Sequence, residues 1–141
     1  MTFLRRRPLR ERMNGTPTAK QRAGDAAELA ACEHLERAGC RIVARNVRYR
    51  EGELDIVADD RGTLVFAEVR ARNDERFGGA LASIDEFKRR RLVRAAQHYL
   101  QQRFGERSAQ RGALPQCRFD VVTADESGVT EWIRDAFAAD E

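Results

Sequence analysis

Two runs of alternating apolar and polar residues flank one short turn. Residues 53–58 read Glu-Leu-Asp-Ile-Val-Ala and residues 63–70 read Thr-Leu-Val-Phe-Ala-Glu-Val-Arg, with Asp59-Asp60-Arg61-Gly62 between them. Alternation at a period of two is the strand pattern, and an Asp- and Gly-bearing turn between two such runs signals a hairpin. With the turn centred between Asp60 and Arg61, Glu68 falls opposite Glu53 and Asp55 opposite Phe66. Glu53, Asp55, Glu68 and Arg70 are then expected on one face, because side chains alternate along a strand. Asp55 and Glu68 become diagonal neighbours, about 7–8 Å apart at the backbone.

The segments around the hairpin indicate an α/β fold. Ala23, Ala27, Ala31, Leu35 and Ala38 form a stripe at helical spacing, which predicts a helix over residues 18–38. Thr16 or Thr18 can cap it and Gly39 can end it. Glu28 lies at the edge of that stripe. Residues 41–47, with Ile42, Val43 and Val47, read as a strand before the hairpin. A second helix is expected from the capping-box spacing of Ser83 and Glu86 to about Phe104, then a loop over residues 105–116. Residues 117–123 read as a strand and residues 129–133 as a further one. The order is helix-strand-strand-strand-helix-strand(-strand) around a central mixed sheet.

The 141 residues are the length of one domain, placed at residues 18–138. Residues 1–17 are arginine-rich, hold Pro8, Gly15 and Pro17, and are expected to be a disordered basic leader. Such a leader reads as a nucleic-acid arm or as a solvated tail, with Met13 as an alternative start. Seven basic residues against Glu11 alone give residues 1–22 a charge of +6, which leaves −3 for the rest of a chain at +3. The body is therefore not a generally basic protein, and affinity for nucleic acid has to come from local clusters. Cys32, Cys40 and Cys117 form no CxxC pair, which argues against a disulfide framework and a zinc site and points to a reducing, cytoplasmic compartment. They are expected as small buried hydrophobes. No apolar run is long enough for a transmembrane helix, so no membrane partner is expected.

Carboxylates crowded on one sheet face repel each other. A fold tolerates them when a cation sits between them or when one keeps a proton. Hard oxygen ligands suit Mg²⁺ or Mn²⁺, and such an ion can activate a water and neutralise charge on a phosphoryl oxygen. Glu28 can reach the same place. The alternative is a solvated hairpin face with Arg70 paired to Glu53 or Glu68. Lys88, Arg89, Arg90, Arg91 and Arg94 cluster on the second helix, where they read as phosphate contacts or as a solvated face. Lys88 and Arg91 share a side with Ile84, Leu92, Ala95 and Tyr99, so Lys88 is expected to face the sheet. His34, Trp132 and Tyr99 read as packing residues.

The ordered set of short motifs resembles one family. Gly52-Glu53-Leu54-Asp55-Ile56-Val57-Ala58 and Leu64-Val65-Phe66-Ala67-Glu68-Val69-Arg70-Ala71-Arg72 carry the likeness. Asn46 with Arg48, Phe77-Gly78, Lys88 with Arg91, and Arg118-Phe119-Asp120-Val121-Val122 add to it. Together they resemble the YraN-type bacterial proteins. These are similar to Holliday-junction resolvases of the restriction-endonuclease-like, PD-(D/E)XK superfamily. The resemblance covers residues 20–137. It implies that Asp55 and Glu68 are metal ligands, that Glu28 matches the helical glutamate of the resolvase branch, and that the Val69 carbonyl is a further ligand. Arg70 falls where the superfamily usually has lysine. Lysine can lose its proton on burial, whereas arginine stays charged and cannot act as a base. Of 26 Lys and Arg residues only Lys20 and Lys88 are lysine, and Lys88 is a candidate substitute.

The reading is a Mg²⁺- or Mn²⁺-dependent endonuclease-like protein acting on DNA, with branched or damaged DNA in view. Asp55, Glu68 and Arg70 are its candidate catalytic residues, Asp55, Glu68, Glu28 and Val69 the metal set, and Glu53 a supporting acid. Arg72, Lys88, Arg91 and Arg94 are the candidate DNA contacts, and the resolvase likeness makes a homodimer the expected assembly. Two rivals remain: a non-catalytic nucleic-acid-binding module with the same fold, which Arg70 favours, and an interaction protein whose acidic face docks a basic partner.

Overall fold

A computed structural model describes residues 16–72, 81–110 and 114–139. Most of the arginine-rich leader, the Phe77-Gly78-Gly79 turn and Gly112 lie outside the described residues. The elements are α1 (Ala19–Arg37), β1 (Arg41–Tyr49), β2 (Gly52–Asp60), β3 (Thr63–Ala71), a 3-10 turn (Leu81–Ser83), α2 (Glu86–Gln110), β4 (Cys117–Asp125) and β5 (Gly128–Phe137). The five strands lie in the order β1-β2-β3-β4-β5, with β3 and β4 parallel and every other pair antiparallel. The mixed α/β architecture with a single five-stranded sheet is the one expected.

Each helix covers one face of the sheet. On one side, Ala31, Cys32 and Leu35 of α1 pack against Ile56, Ala58, Val65, Ala67 and Val122. The alanines bring the helix backbone close to the strands. On the other side, Leu92, Ala95, Ala96 and Tyr99 of α2 pack against Val47, Leu54, Val57, Phe66, Phe119 and Val121. Phe66, Phe119 and Phe137 stack in series, with ring centroids 5.6 and 4.9 Å apart. Both faces of the central strands are thus buried, and their near-continuous apolar runs follow from that.

Local chemistry accounts for the helix boundaries. Thr18 caps α1, taking the Gln21 amide, while the Gln21 side chain returns to the Thr18 amide at 2.8 Å. Helix α2 starts later than the Ser83–Glu86 spacing predicted. Asp85 is its cap and accepts from the Lys88 amide at 2.8 Å. Gly105 breaks the helix with φ 75° as expected, but a further helical segment runs to Gln110 where a loop was expected. Its Glu, Arg, Ala and Gln residues are good helix formers. Cys32 and Cys40 are buried as expected, whereas Cys117 is exposed. His34 meets Trp132 edge-on and Tyr99 is buried, so those residues pack as expected. No helix among the described residues is long and apolar enough to cross a membrane.

The hairpin register differs from the expected one by two residues. Val57, not Asp55, lies opposite Phe66, and Asp60 pairs with Thr63. The loop consists of Arg61 and Gly62 alone, both left-handed at φ 52° and 95°. A two-residue turn of this kind needs positive φ at both positions, and Gly at the second meets that need cheaply. The turn is therefore centred one residue further on. Continuing the register puts Asp55 directly opposite Glu68, rather than Glu53 opposite Glu68.

Candidate active site

Asp55 and Glu68 lie where the β2–β3 ladder opens. The paired residues end at Ile56 and Ala67, and the next contact is the Val69 amide donating to Asp55 Oδ2 at 2.9 Å. Glu68 is 7% exposed. Burial pushes the Asp55 carboxyl well above the usual carboxylate range, the Glu68 charge pushes it further, and the Val69 amide opposes both. Glu68 is also raised by burial, with Lys88 as the strongest opposing influence.

The four residues expected on one face, Glu53, Asp55, Glu68 and Arg70, line one cleft, and Glu53 and Asp55 border a second one as well. Asn46 of β1 lies between Arg45 and Val47, which pair with Ile56 and Leu54, so it stands across from Asp55. Its φ is 53°, a left-handed residue inside a strand. Alternation breaks there in both strands: Ala44 and Val47, and likewise Leu54 and Val57, are three apart yet join the same core beneath α2. Glu53 and Asp55 consequently border clefts on both sides of the sheet. The α2-side cleft, about 340 Å³, is lined by Glu53, Asp55, Glu68, Val69, Arg70, Lys88, Arg91 and Leu92. The α1-side cleft, about 230 Å³, includes Glu28, Asn46, Arg48, Glu53, Asp55 and Val69.

Cations bound both clefts. Lys88 Nζ reaches Glu68 Oε1 at 3.3 Å from the first turn of α2. Arg70 is half-buried, and its Nε is buried with no hydrogen-bond partner among the described residues. Glu28 is held by Arg45 at 3.2 Å. Burial raises the Glu28 carboxyl and Asp55 adds to this, while Arg45 and the Asn46 side chain act the other way. Glu53 pairs with Arg48 at 3.5 Å rather than with Arg70.

A family model described as "Uncharacterised protein family UPF0102" matches residues 27–124. The chain belongs to the UPF0102 family. A UPF0102 protein of Xanthomonas axonopodis pv. citri (strain 306) is 55% identical over 126 residues, covering 89% of this chain and 98% of its own. A UPF0102 protein of Burkholderia thailandensis is 50% identical over 133 residues, covering 94% and 86%. One from Ectopseudomonas mendocina (strain ymp) is 49% identical over 118 residues, covering 82% and 94%. This is the YraN-type family that the motifs resemble.

The UPF0102 chain brings some of the sequence-predicted residues together and leaves others apart. Asp55, Glu68, Val69, Arg70, Lys88 and Arg91 share one cleft. Glu28 stands on the other side of the sheet, joined to them through Asp55. Arg72 turns away, pairing with Asp125 at 3.5 Å beside a separate cleft near the start of α1. Arg94 is exposed one turn beyond Arg91. Among the described residues no three acidic, imidazole or thiol groups converge as a closed metal cage. The donors present nevertheless fit a hydrated divalent ion, which commonly takes only one or two carboxylates and keeps several waters. Two carboxyls buried side by side are the group such an ion would relieve.

Sequence reasoning missed Asn46 as a backbone device, Arg45 as the partner of Glu28, and Gly52. Asn within a strand is itself a signal, since strands disfavour it. A Cβ on Gly52 would lie 2.8 Å from the Arg91 carbonyl oxygen, so glycine is what lets β2 touch α2 there.

Proposed function

We propose that this protein is a divalent-metal-dependent, endonuclease-like hydrolase of DNA phosphodiester bonds, with branched or damaged DNA as the substrate class. The observation that carries this reading is the Asp55–Glu68 pair at the opening of the hairpin, in one cleft with Arg70 and Lys88. A pair of buried like charges has no value to the fold itself, whereas with cations beside it the pair suits a phosphoryl centre.

Asp55 and Glu68 would hold Mg²⁺ or Mn²⁺, with Glu28 and the Val69 carbonyl as the further ligands that the superfamily resemblance implies. The ion, when bound, supplies an acidified water and neutralises charge on the phosphoryl oxygen. The Arg70 guanidinium has a buried Nε with no hydrogen-bond partner among the described residues, suited to hold the phosphate and stabilise the charge that develops on it. Lys88 would stand in for the lysine that β3 lacks, a reading supported by its ion pair with Glu68 from α2. Glu53 supports the acidic cluster, and Arg91, Arg94 and Arg72 contact flanking phosphates. A reducing, cytoplasmic setting and a homodimer cutting two strands belong to the same reading.

The second reading is a non-catalytic nucleic-acid-binding module. Arg70 favours it, since arginine cannot replace lysine as a base. Labelled linear, single-stranded, flap and four-way-junction DNA, each with Mg²⁺, Mn²⁺ or EDTA, separates the two readings beside an Asp55→Ala control. Metal-dependent cutting lost in the control supports the nuclease. Tight metal-independent binding with no cutting supports the module. In either case affinity should fall steeply with salt.

A further inference from the structure

The rim of the α2-side cleft carries an aromatic ring that the fold does not use. Phe87 is 67% exposed, the most exposed of the large apolar side chains described. It immediately precedes Lys88. The Arg91 guanidinium lies over its ring, 5.8 Å from the centroid, while Arg91 also lines the cleft holding Asp55 and Glu68. The other side of this helix is packed into the core through Leu92, Ala95 and Tyr99. Gly52 touches the Arg91 backbone, which ties this turn of α2 to the β2 strand that bears Asp55. A flat apolar ring thus lies against the Arg91 cation and next in sequence to Lys88, both of which line the cleft of the acidic pair.

We propose that Phe87 and Arg91 form a stacking platform for an unpaired DNA base next to the phosphate held at Asp55 and Glu68. This rests on the nucleic-acid reading of the cleft and names the substrate feature it selects. Every base has an aromatic face, so a ring of this kind captures unstacked bases with little regard to sequence. Within a continuous duplex that face is covered by the neighbouring base pairs. The platform therefore favours DNA that is single-stranded or splayed at a branch, gap or flap. The surrounding Lys88, Arg90, Arg91 and Arg94 supply the charge that an anionic strand needs at the same place.

The test is equilibrium binding in EDTA of matched duplex, gapped and flap DNA, with 2-aminopurine at the unpaired position. The full chain is compared with Phe87→Ala and Phe87→Trp, with circular dichroism as a check on folding. The wild type should quench the 2-aminopurine on binding. Phe87→Ala should lose that quenching and bind unpaired substrates about tenfold more weakly, while duplex affinity changes less than about twofold. Phe87→Trp should keep both. Equal losses on duplex and unpaired DNA, or unchanged quenching in Phe87→Ala, overturn the platform and leave the nucleic-acid reading standing. A wild type that binds none of these DNAs overturns both.

Discussion

Asp55 and Glu68 lie opposite each other across the opening of the β2–β3 hairpin, where burial raises both carboxyls and the Glu68 charge raises Asp55 further. A carboxyl raised in the folded state binds a proton that the unfolded chain has already released. Stability from such a group is greatest below the ordinary carboxylate range, near pH 4, and falls as pH rises towards the folded value. Asp55→Asn keeps an oxygen for the Val69 amide and removes the charge. It should raise Tm at pH 8 by about 3 °C or more, the shift that 1 kcal/mol produces in a domain of this size. The gain should shrink towards pH 4. Mg²⁺ should stabilise the wild type at pH 8 and not the variant. Scanning calorimetry across pH 4–8 decides it: a less stable Asp55→Asn with an unchanged pH slope would contradict the raised Asp55 carboxyl.

Lys88 and Glu68 give the second prediction. With Nζ 3.3 Å from Oε1, Lys88 is the strongest influence holding the Glu68 carboxyl down. Lys88→Ala should therefore raise the Glu68 pKa and shift the acid limb of any metal-dependent cleavage to higher pH. It should also lower the rate about 10²–10³-fold, the usual effect of losing one donor at a developing charge. Lys88→Arg should restore DNA affinity more fully than rate, since arginine keeps the charge and cannot give up a proton. A pH–rate profile unchanged in Lys88→Ala would remove Lys88 from the chemistry.

The third prediction concerns Gly52. Alanine there would press its Cβ against the Arg91 carbonyl oxygen, and backbone on both sides leaves little room to yield. Overpacking of this sort costs about 1–3 kcal/mol. Gly52→Ala should lower Tm and shift the first turns of α2, and with them Lys88 and Arg91, away from β2. Urea melts would show the loss. A Gly52→Ala protein as stable as the wild type would mean that α2 slides freely over the sheet.

Much of this arrangement was legible in the sequence because it is periodic. The alanine stripe of α1 follows from burial of one repeated face, and the apolar runs of β2, β3 and β4 from burial on both faces of the sheet. Lys88 could be placed towards the sheet from its spacing to Leu92 and Tyr99 alone. Other features depend on single residues rather than on a period. The hairpin register turned on which two residues take positive φ, and a shift of two positions changed Asp55 from a diagonal to a direct neighbour of Glu68. The break of alternation at Asn46 is a backbone event with no repeating signal. The tilt of Arg72 towards Asp125 depends on β4, far away in sequence, and no local pattern announces it.

Asn46 carries the last prediction. Its left-handed φ of 53° breaks the alternation opposite Asp55, and its side chain lowers the Glu28 carboxyl. Asn tolerates this conformation better than most residues, whereas a β-branched side chain is a marked outlier there. Asn46→Val should therefore cost at least the roughly 1–2 kcal/mol of left-handed strain and straighten β1, turning Asp55 away from Glu68. Asn46→Gly accepts the same φ at no steric cost, so its stability should stay near that of the wild type. What glycine removes is the side-chain amide that lowers Glu28, whose carboxyl should then move further up. The two variants thus separate backbone geometry from side-chain contact: Val should lower Tm and abolish metal-dependent stabilisation, while Gly should keep Tm and weaken metal affinity alone. Titrating Mn²⁺ against Tm for both proteins checks this. Equal metal responses in Asn46→Val and the wild type would show that the strand distortion does not aim Asp55 at all.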